Sequence, residues 1–194
     1  PPGTCAVDGC SLRQAVLLAN GTPGPDVITL HAGKYLLKLR GDDATAEAGD
    51  LDITDAVTIQ GDPAGGTVIN AKGAKDRAFE VLANGDLTIS HVIVKGGSAA
   101  VDGGGILSVG TLTVKNSIFT GNKAGNSGGG IASEAGTCTL TDVVLTKNKA
   151  VTNAGGAVEF FPEGTATLLR VTLSKNSAGD TGGAMDSDNG VTVS

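Results

Sequence analysis

The strongest constraint on this chain is that it repeats itself. From residue 87 onward a turn residue recurs at Gly97, Asn122, Asn148 and Asn176, at spacings of 25, 26 and 28 residues. Three positions before each stand Val94, Phe119, Leu145 and Leu173. Eight before stand Ile89, Val114, Leu140 and Leu168, and ten before stand Leu87, Leu112, Cys138 and Ala166. Nine or ten after come Ile106, Ile131, Val158 and Met185, each preceded by a Gly-rich pair or triplet. Every one of these columns is apolar, and polar columns such as His91, Asn116, Asp142 and Arg170 run between them.

A near-constant period with several short strands per repeat has one economical solution. Each repeat is a coil of a solenoid, and like residues stack on like. Strands then pair in parallel with the next coil, about 4.8 Å away. Inward columns become aliphatic ladders, and Asn122, Asn148 and Asn176 become a hydrogen-bonded turn ladder. The pairs Gly104-Gly105, Gly129-Gly130, Gly155-Gly156 and Gly182-Gly183 permit bends where a Cβ would clash. A leucine-rich repeat is excluded, because neither its L-x-x-L-x-L-x-x-N pattern nor a repeat helix is present. A sandwich has no such stacked columns. The fold class is therefore all-β, a parallel β-helix over residues 26–194, with about seven coils and a length of roughly 35 Å.

Composition agrees. There are 31 Gly in 194 residues, no Trp and 3 % aromatics against 40 % hydrophobics. The core must be built from small and branched aliphatics. The glycines lack the G-X-Y period of collagen, and the apolar fraction is too high for disorder. No run of 18 apolar residues is present, so no membrane insertion is expected within the chain. A net charge of −6 with few aromatics argues against nucleic acid as a partner, since phosphates must be neutralised and bases stacked.

Residues 1–25 read as an N-terminal cap. Ser11 and Gln14 make an S-x-x-Q capping box for a helix over 11–20. Leu12, Ala15, Val16 and Ala19 share one face, and Asn20-Gly21 ends the helix. Laid over the first coil, this helix would shield an edge prone to aggregation. Short strands are expected at Val27–Leu30, Tyr35–Leu39, Val57–Ile59 and Val68–Ile69. Cys5 and Cys10 flank a short loop that a disulfide can close, which implies an oxidising compartment; two free thiols are the alternative. Cys138 falls in an inward column and is expected to be a buried, unreactive thiol. The chain opens at Pro1 without a basic or apolar leader, so any signal peptide is expected to have been removed.

Cys10-Ser11-Leu12-Arg13-Gln14-Ala15 resembles the CSLREA motif of bacterial and archaeal surface proteins, with Gln14 in place of the motif's Glu. Gly49 to Thr54, Thr58 to Gly61 and Asp76 to Phe79 are similar to the stretch next to that motif in the same family. Phe119 to Asn122 (FTGN), with Gly103 to Ile106 and Gly128 to Ile131 (GGGI), resembles the repeats of polymorphic outer-membrane adhesins. The resemblance implies a secreted or surface-displayed, right-handed β-helix that is one part of a longer protein. It carries over no catalytic residues.

Several constellations are candidates for chemistry. Asp42, Asp43, Glu47, Asp50 and Asp52 place five carboxylates within eleven residues, either as oxygen ligands for calcium or as a solvated acidic loop. Asp186-Ser187-Asp188-Asn189-Gly190 is a weaker calcium candidate. Asp142 and Arg170, adjacent in one outward column with His91, could form an acid–cation pair in a groove or a surface ion pair of little energetic weight. Thr111 and Thr113, Thr137 and Thr139, and Thr165 and Thr167 stack in register as a T-x-T ladder. It is similar to the flat surface of β-helical ice-binding proteins, although Thr ladders also stabilise sheets by themselves.

No catalytic set converges, so the main reading is a non-enzymatic structural or adhesive module, secreted or at the cell surface. Carbohydrate binding or polysaccharide degradation is the alternative, and ice binding a second. A cleft lined by carboxylates and an aromatic would favour carbohydrate. The expected cofactor is none or calcium. Gly190 to Ser194 opens another coil and should leave an uncovered β-edge. That edge would meet further coils of a longer chain or another copy, giving a filament; glycans are the other partner class.

Overall fold

The computed structural model describes residues 9–41, 44–188 and 191–193. It is a parallel β-solenoid of about six turns with one short helix at its N-terminal end. Three flat faces run along the stack, each turn giving one strand to each, and the third to fifth turns add a two-residue strand (Ser98–Ala99, Lys123–Ala124, Lys149–Ala150) in a small parallel sheet of its own. Face A is built from Asp26–Thr29, Ala56–Gln60, Asp86–Ser90, residues 111–115, 137–141 and 165–169, and Val191–Val193. Face B comprises Gly33–Leu36, Thr67–Asn70, Ile93–Lys95, residues 117–120 and 143–146, and Thr172–Ser174. Face C comprises Leu51–Ile53, Phe79–Val81, Ile106–Ser108, residues 131–133 and 158–160, and Met185–Ser187. Pairing along all three faces is parallel. Face A thus has seven strands and the others six. The expected seventh coil is represented by its opening strand alone, because the first two coils are longer than the later repeat and consume chain.

The inward columns match the period. Leu87, Leu112, Cys138 and Ala166 pair in register on face A, and Val94, Phe119, Leu145 and Leu173 on face B. All but Leu173 are buried, most of them completely. One expected strand is displaced. The run from Tyr35 to Leu39 is apolar except for Lys38, yet the strand is Gly33–Leu36, because its register is set by Thr67–Asn70 in the next coil. Leu39 is left 55 % exposed.

From residue 91 onward, faces A and B meet at one residue in the left-handed conformation: His91 (φ 56°), Asn116 (46°), Asp142 (54°) and Arg170 (53°). Asn, Asp and His tolerate that conformation better than other side chains, which explains three of the four. Gly129 meets a different constraint. A Cβ there would collide with the carbonyl oxygen of Gly156 and the backbone of Lys149 in the next coil.

The helix, α1 (Leu12–Asn20), has the expected capping box: Ser11 and Gln14 satisfy each other's backbone N–H. Leu12, Val16 and Ala19 are buried, and α1 packs on the face A and face C strands of the first two coils. Arg13 does what the sequence could not reveal. Its Nη1 donates to the carbonyls of Ala46 (2.6 Å), Asp50 (2.7 Å) and Ala48 (3.1 Å), and its Nη2 to that of Gly49 (2.6 Å). Asn20 accepts from Thr54 N–H and donates to the Asp52 carbonyl. One guanidinium therefore folds the 46–50 loop beneath the cap.

At the far end, Met185–Ser187 and Val191–Val193 continue faces C and A and pair only with the coil beneath, among the described residues. They do not fold back over it. Cys5 lies outside the described residues, so the expected Cys5–Cys10 pairing does too.

Arg13→Ala should cost about 3 kcal/mol or more in urea unfolding, because it strands buried carbonyls that had a charged donor, and Arg13→Lys should recover only part of that. Cys138 is fully buried, and burial pushes its thiol up to about 12. It should resist a thiol reagent in the native protein for as long as the fold persists, and label rapidly in urea.

Candidate functional site

The outward column of face C reads Asp52, Glu80, Leu107, Ala132, Glu159 and Asp186. Outward residues are usually wet, but here Asp52, Ala132 and Glu159 are buried. For Ala132 and Glu159 the cause is the Gly-rich turn that precedes each face C strand from the third coil on, whereas Asp52 lies under the 46–50 loop, its Oδ2 accepting the Ala46 N–H. Gly103, Gly128, Gly155 and Gly182 all have positive φ, and each lies against the outward residue or backbone four positions on. A Cβ on Gly155 would come 2.6 Å from Glu159 Oε2. The turn thus lays backbone over the column, and charges in it are desolvated.

Carboxylates gather at both ends of this column. At the first end, oxygens of Asp50, Asp52 and Glu80 all lie within 4.8 Å of one another. Arg77 answers them: its Nη1 reaches Asp50 Oδ2 at 3.1 Å and also pairs with Glu80. Asp52 Oδ2 accepts the Ala46 N–H at 2.8 Å. Burial pushes Asp50 up to about 7, against the opposing pull of Arg77 and with help from Asp52 and Asp76. At the second end, oxygens of Glu159, Asp186 and Asp188 also lie within 4.8 Å of one another. None of these three forms an ion pair among the described residues. Glu159 is pushed up to about 7 by burial first, then by Asp186, Asp188 and Asp102. Between the clusters, burial and then Asp102 and Glu80 raise Glu134.

Of the five carboxylates grouped in the sequence, Asp50 and Asp52 come together, Glu47 is exposed apart from them, and Asp42 and Asp43 lie outside the described residues. Glu80 and Glu159 escape a reading of the sequence. Their one signal is the register itself, since each stands one coil from an Asp of an acidic run. Asp186 and Asp188 do come together, while Asn189 lies outside the described residues.

The Asn ladder forms as expected and does more than stack. Asn148 Oδ1 accepts both the backbone N–H (3.0 Å) and the side-chain amide (3.1 Å) of Asn122, and Asn176 Oδ1 does the same for Asn148 (2.9 and 3.2 Å). Each side-chain amide also donates to a carbonyl one coil back: Val94, Phe119 and Leu145. Arg170 grips Asp142 with two bonds of 2.6 and 2.7 Å. That pair is a surface ion pair at the A–B corner, with 60 % and 38 % side-chain exposure.

The Thr array is longer than the triplets suggested. Thr58, Thr88, Thr113, Thr139, Thr167 and Thr192 occupy one continuous face A column. Thr111 pairs with Asp86 in the adjoining column, where Thr137 and Thr165 pair with each other, their hydroxyls 3.4 Å apart. Two surface hollows differ from the cleft expected of a sugar site. One of about 210 Å³ contains Tyr35 but no carboxylate, and one of about 170 Å³ contains Asp62 but no aromatic ring of the Phe, Tyr or Trp type.

Residues 116–134 match the Chlamydia polymorphic membrane protein repeat. The match spans face B of one coil, Asn122, the Gly128–Gly130 turn and the start of the next face C strand. That likeness points to an outer-membrane or surface protein. No curated protein and no solved structure matches the chain. Among the described residues, no helix is long and apolar enough to cross a membrane.

The raised carboxyl of Asp50 fixes a pH dependence. The folded state holds a proton that the unfolded state releases near pH 4. Its stabilising contribution is therefore full below about pH 4 and lost as pH rises through about 7. The stability of wild type relative to Asp50→Asn should fall over that window, as read by thermal unfolding at a series of pH values.

Proposed function

We propose that the chain is a non-enzymatic structural and adhesive module, secreted or surface-displayed, and that face A is its contact surface. The observation that carries this reading is the unbroken Thr column of that face. Parallel pairing sets its hydroxyls and methyls at a repeat of about 4.8 Å. The flanking outward positions add Thr111, Thr137, Thr141 and Thr165, with few charges. Such a plane offers the same chemistry on five successive coils, from Thr58 to Thr167, so it suits a partner that is itself repetitive: a regular glycan, or the equivalent face of another copy. The likeness of residues 116–134 to a surface-protein repeat supports the location. The resemblance of Cys10 to Ala15 to the CSLREA motif is consistent with it, as is a disulfide between Cys5 and Cys10.

The same column supports a second reading, ice binding, because a flat array of Thr methyls and hydroxyls also suits an ordered water lattice. The two are separable. Thr113→Arg/Thr139→Arg places two large charges mid-face while leaving the core columns untouched. On the adhesive reading, wild type binds at least one polysaccharide on a glycan array or self-associates by light scattering, and the double variant loses this at least tenfold with an unchanged unfolding midpoint. Retention of binding by the variant would rule face A out. Thermal hysteresis in wild type that the variant lacks would move the assignment to ice.

A further inference from the structure

We propose that Glu159, Asp186 and Asp188 form a divalent-cation site of the calcium class, clamping the last complete turn of the solenoid to the turn beneath it. The two acidic ends of the face C column differ in one respect. At the first, the chain supplies its own cation, Arg77. At the second, no basic side chain among the described residues pairs with any of the three carboxylates. Glu159 is only 3 % exposed, and its Oε2 is buried without a hydrogen-bond partner. It is covered by the backbone of Gly155 rather than by a donor. A buried acceptor of this kind costs free energy unless something answers it.

The geometry sets the class of ligand. The three side chains each bring an oxygen within 4.8 Å of the other two. Calcium binds oxygen at 2.3–2.6 Å, so two of its ligands stand at most about 5 Å apart, whereas magnesium at 2.0–2.1 Å allows about 4.2 Å and demands a stricter octahedron. The spacing is close to the reach of one calcium ion, whose flexible shell tolerates the small adjustments that magnesium's octahedron does not. All three ligands are hard carboxylates, with no His or Cys among them, which disfavours zinc. Asp188 is exposed, leaving room for water to complete the shell. Glu159 and Asp186 are register partners on successive coils, so one ion bound to both is a cross-link between turns. Extracellular calcium modules work with dissociation constants on the order of 10⁻⁴–10⁻³ M, and that is the range expected here. The assignment stands on these side chains and does not depend on the adhesive reading.

The test is calcium chloride titrated into the EDTA-treated full chain at pH 7.5, followed by calorimetry and by the thermal midpoint. Wild type should bind one equivalent with a rise in midpoint, and magnesium should bind at least tenfold more weakly. Glu159→Gln should lose calcium affinity at least tenfold. In EDTA it should melt at or above wild type, because it relieves the repulsion among three carboxylates. Asp188→Asn, at an exposed position, should also lose affinity without loss of fold. Glu80→Gln, at the Arg77 end, should bind as wild type does. Absence of binding at 5 mM calcium would overturn the site. So would binding that survives Glu159→Gln and Asp188→Asn, or that is lost in Glu80→Gln instead.

Discussion

Everything in this molecule depends on the parallel register between one coil and the next. A lone coil has three short strands with no backbone partners and an apolar interior open at both ends. It gains hydrogen bonds and a core only by lying on a neighbour in step with it. The step must be the same on all three faces at once. Glycine at 104, 129 and 156 lets the chains approach at the bend, and the Asn ladder locks the phase. Asn148, 1 % exposed, bonds simultaneously to the coil before it and the coil after it. A shift of one residue would turn the aliphatic columns outward and leave these amides without partners.

The first coil has no neighbour on one side, and the cap substitutes for one. Leu12, Val16 and Ala19 close the apolar end. The polar groups are answered by Arg13 and Asn20. A guanidinium suits the task because its donors lie in one plane and fork widely enough to reach several carbonyls. The carbonyls it gathers belong to residues 46–50, which lead into the first face C strand. The start of the acidic column is thereby held by the same group that seats the helix.

The legible part of the sequence is the part that repeats. Apolar columns such as Leu87, Leu112, Cys138 and Ala166 announce their burial by recurrence, as do Asn122, Asn148 and Asn176. The capping box of Ser11 and Gln14 is legible because it is local. Contacts made once, across one pair of coils, are not. Arg77 finds Asp50 27 residues away, and although the Val158–Met185 column puts Glu159 beside Asp186, nothing in it marks Glu159 as buried under Gly155. Arg13 is opaque for another reason, since its partners are backbone carbonyls, which no residue type marks. The strand at Gly33–Leu36 departs from the local apolar run because the next coil decides where it begins.

The single-residue corners at His91, Asn116, Asp142 and Arg170 are so tight that residues 111–120 pass through one as an uninterrupted strand. From that coil onward the spacing across this corner is constant. Yet successive coils differ in length by up to three residues, and the difference is taken up elsewhere: between Ala150 and Val158, and at the register shift after Ser133. The later coils therefore have one edge that is a fixed spine and two that tolerate insertion. Sequence variety in a solenoid of this kind should accumulate along those two seams, where loops can be lengthened, exchanged or exposed to selection while the ladders behind them stay in step.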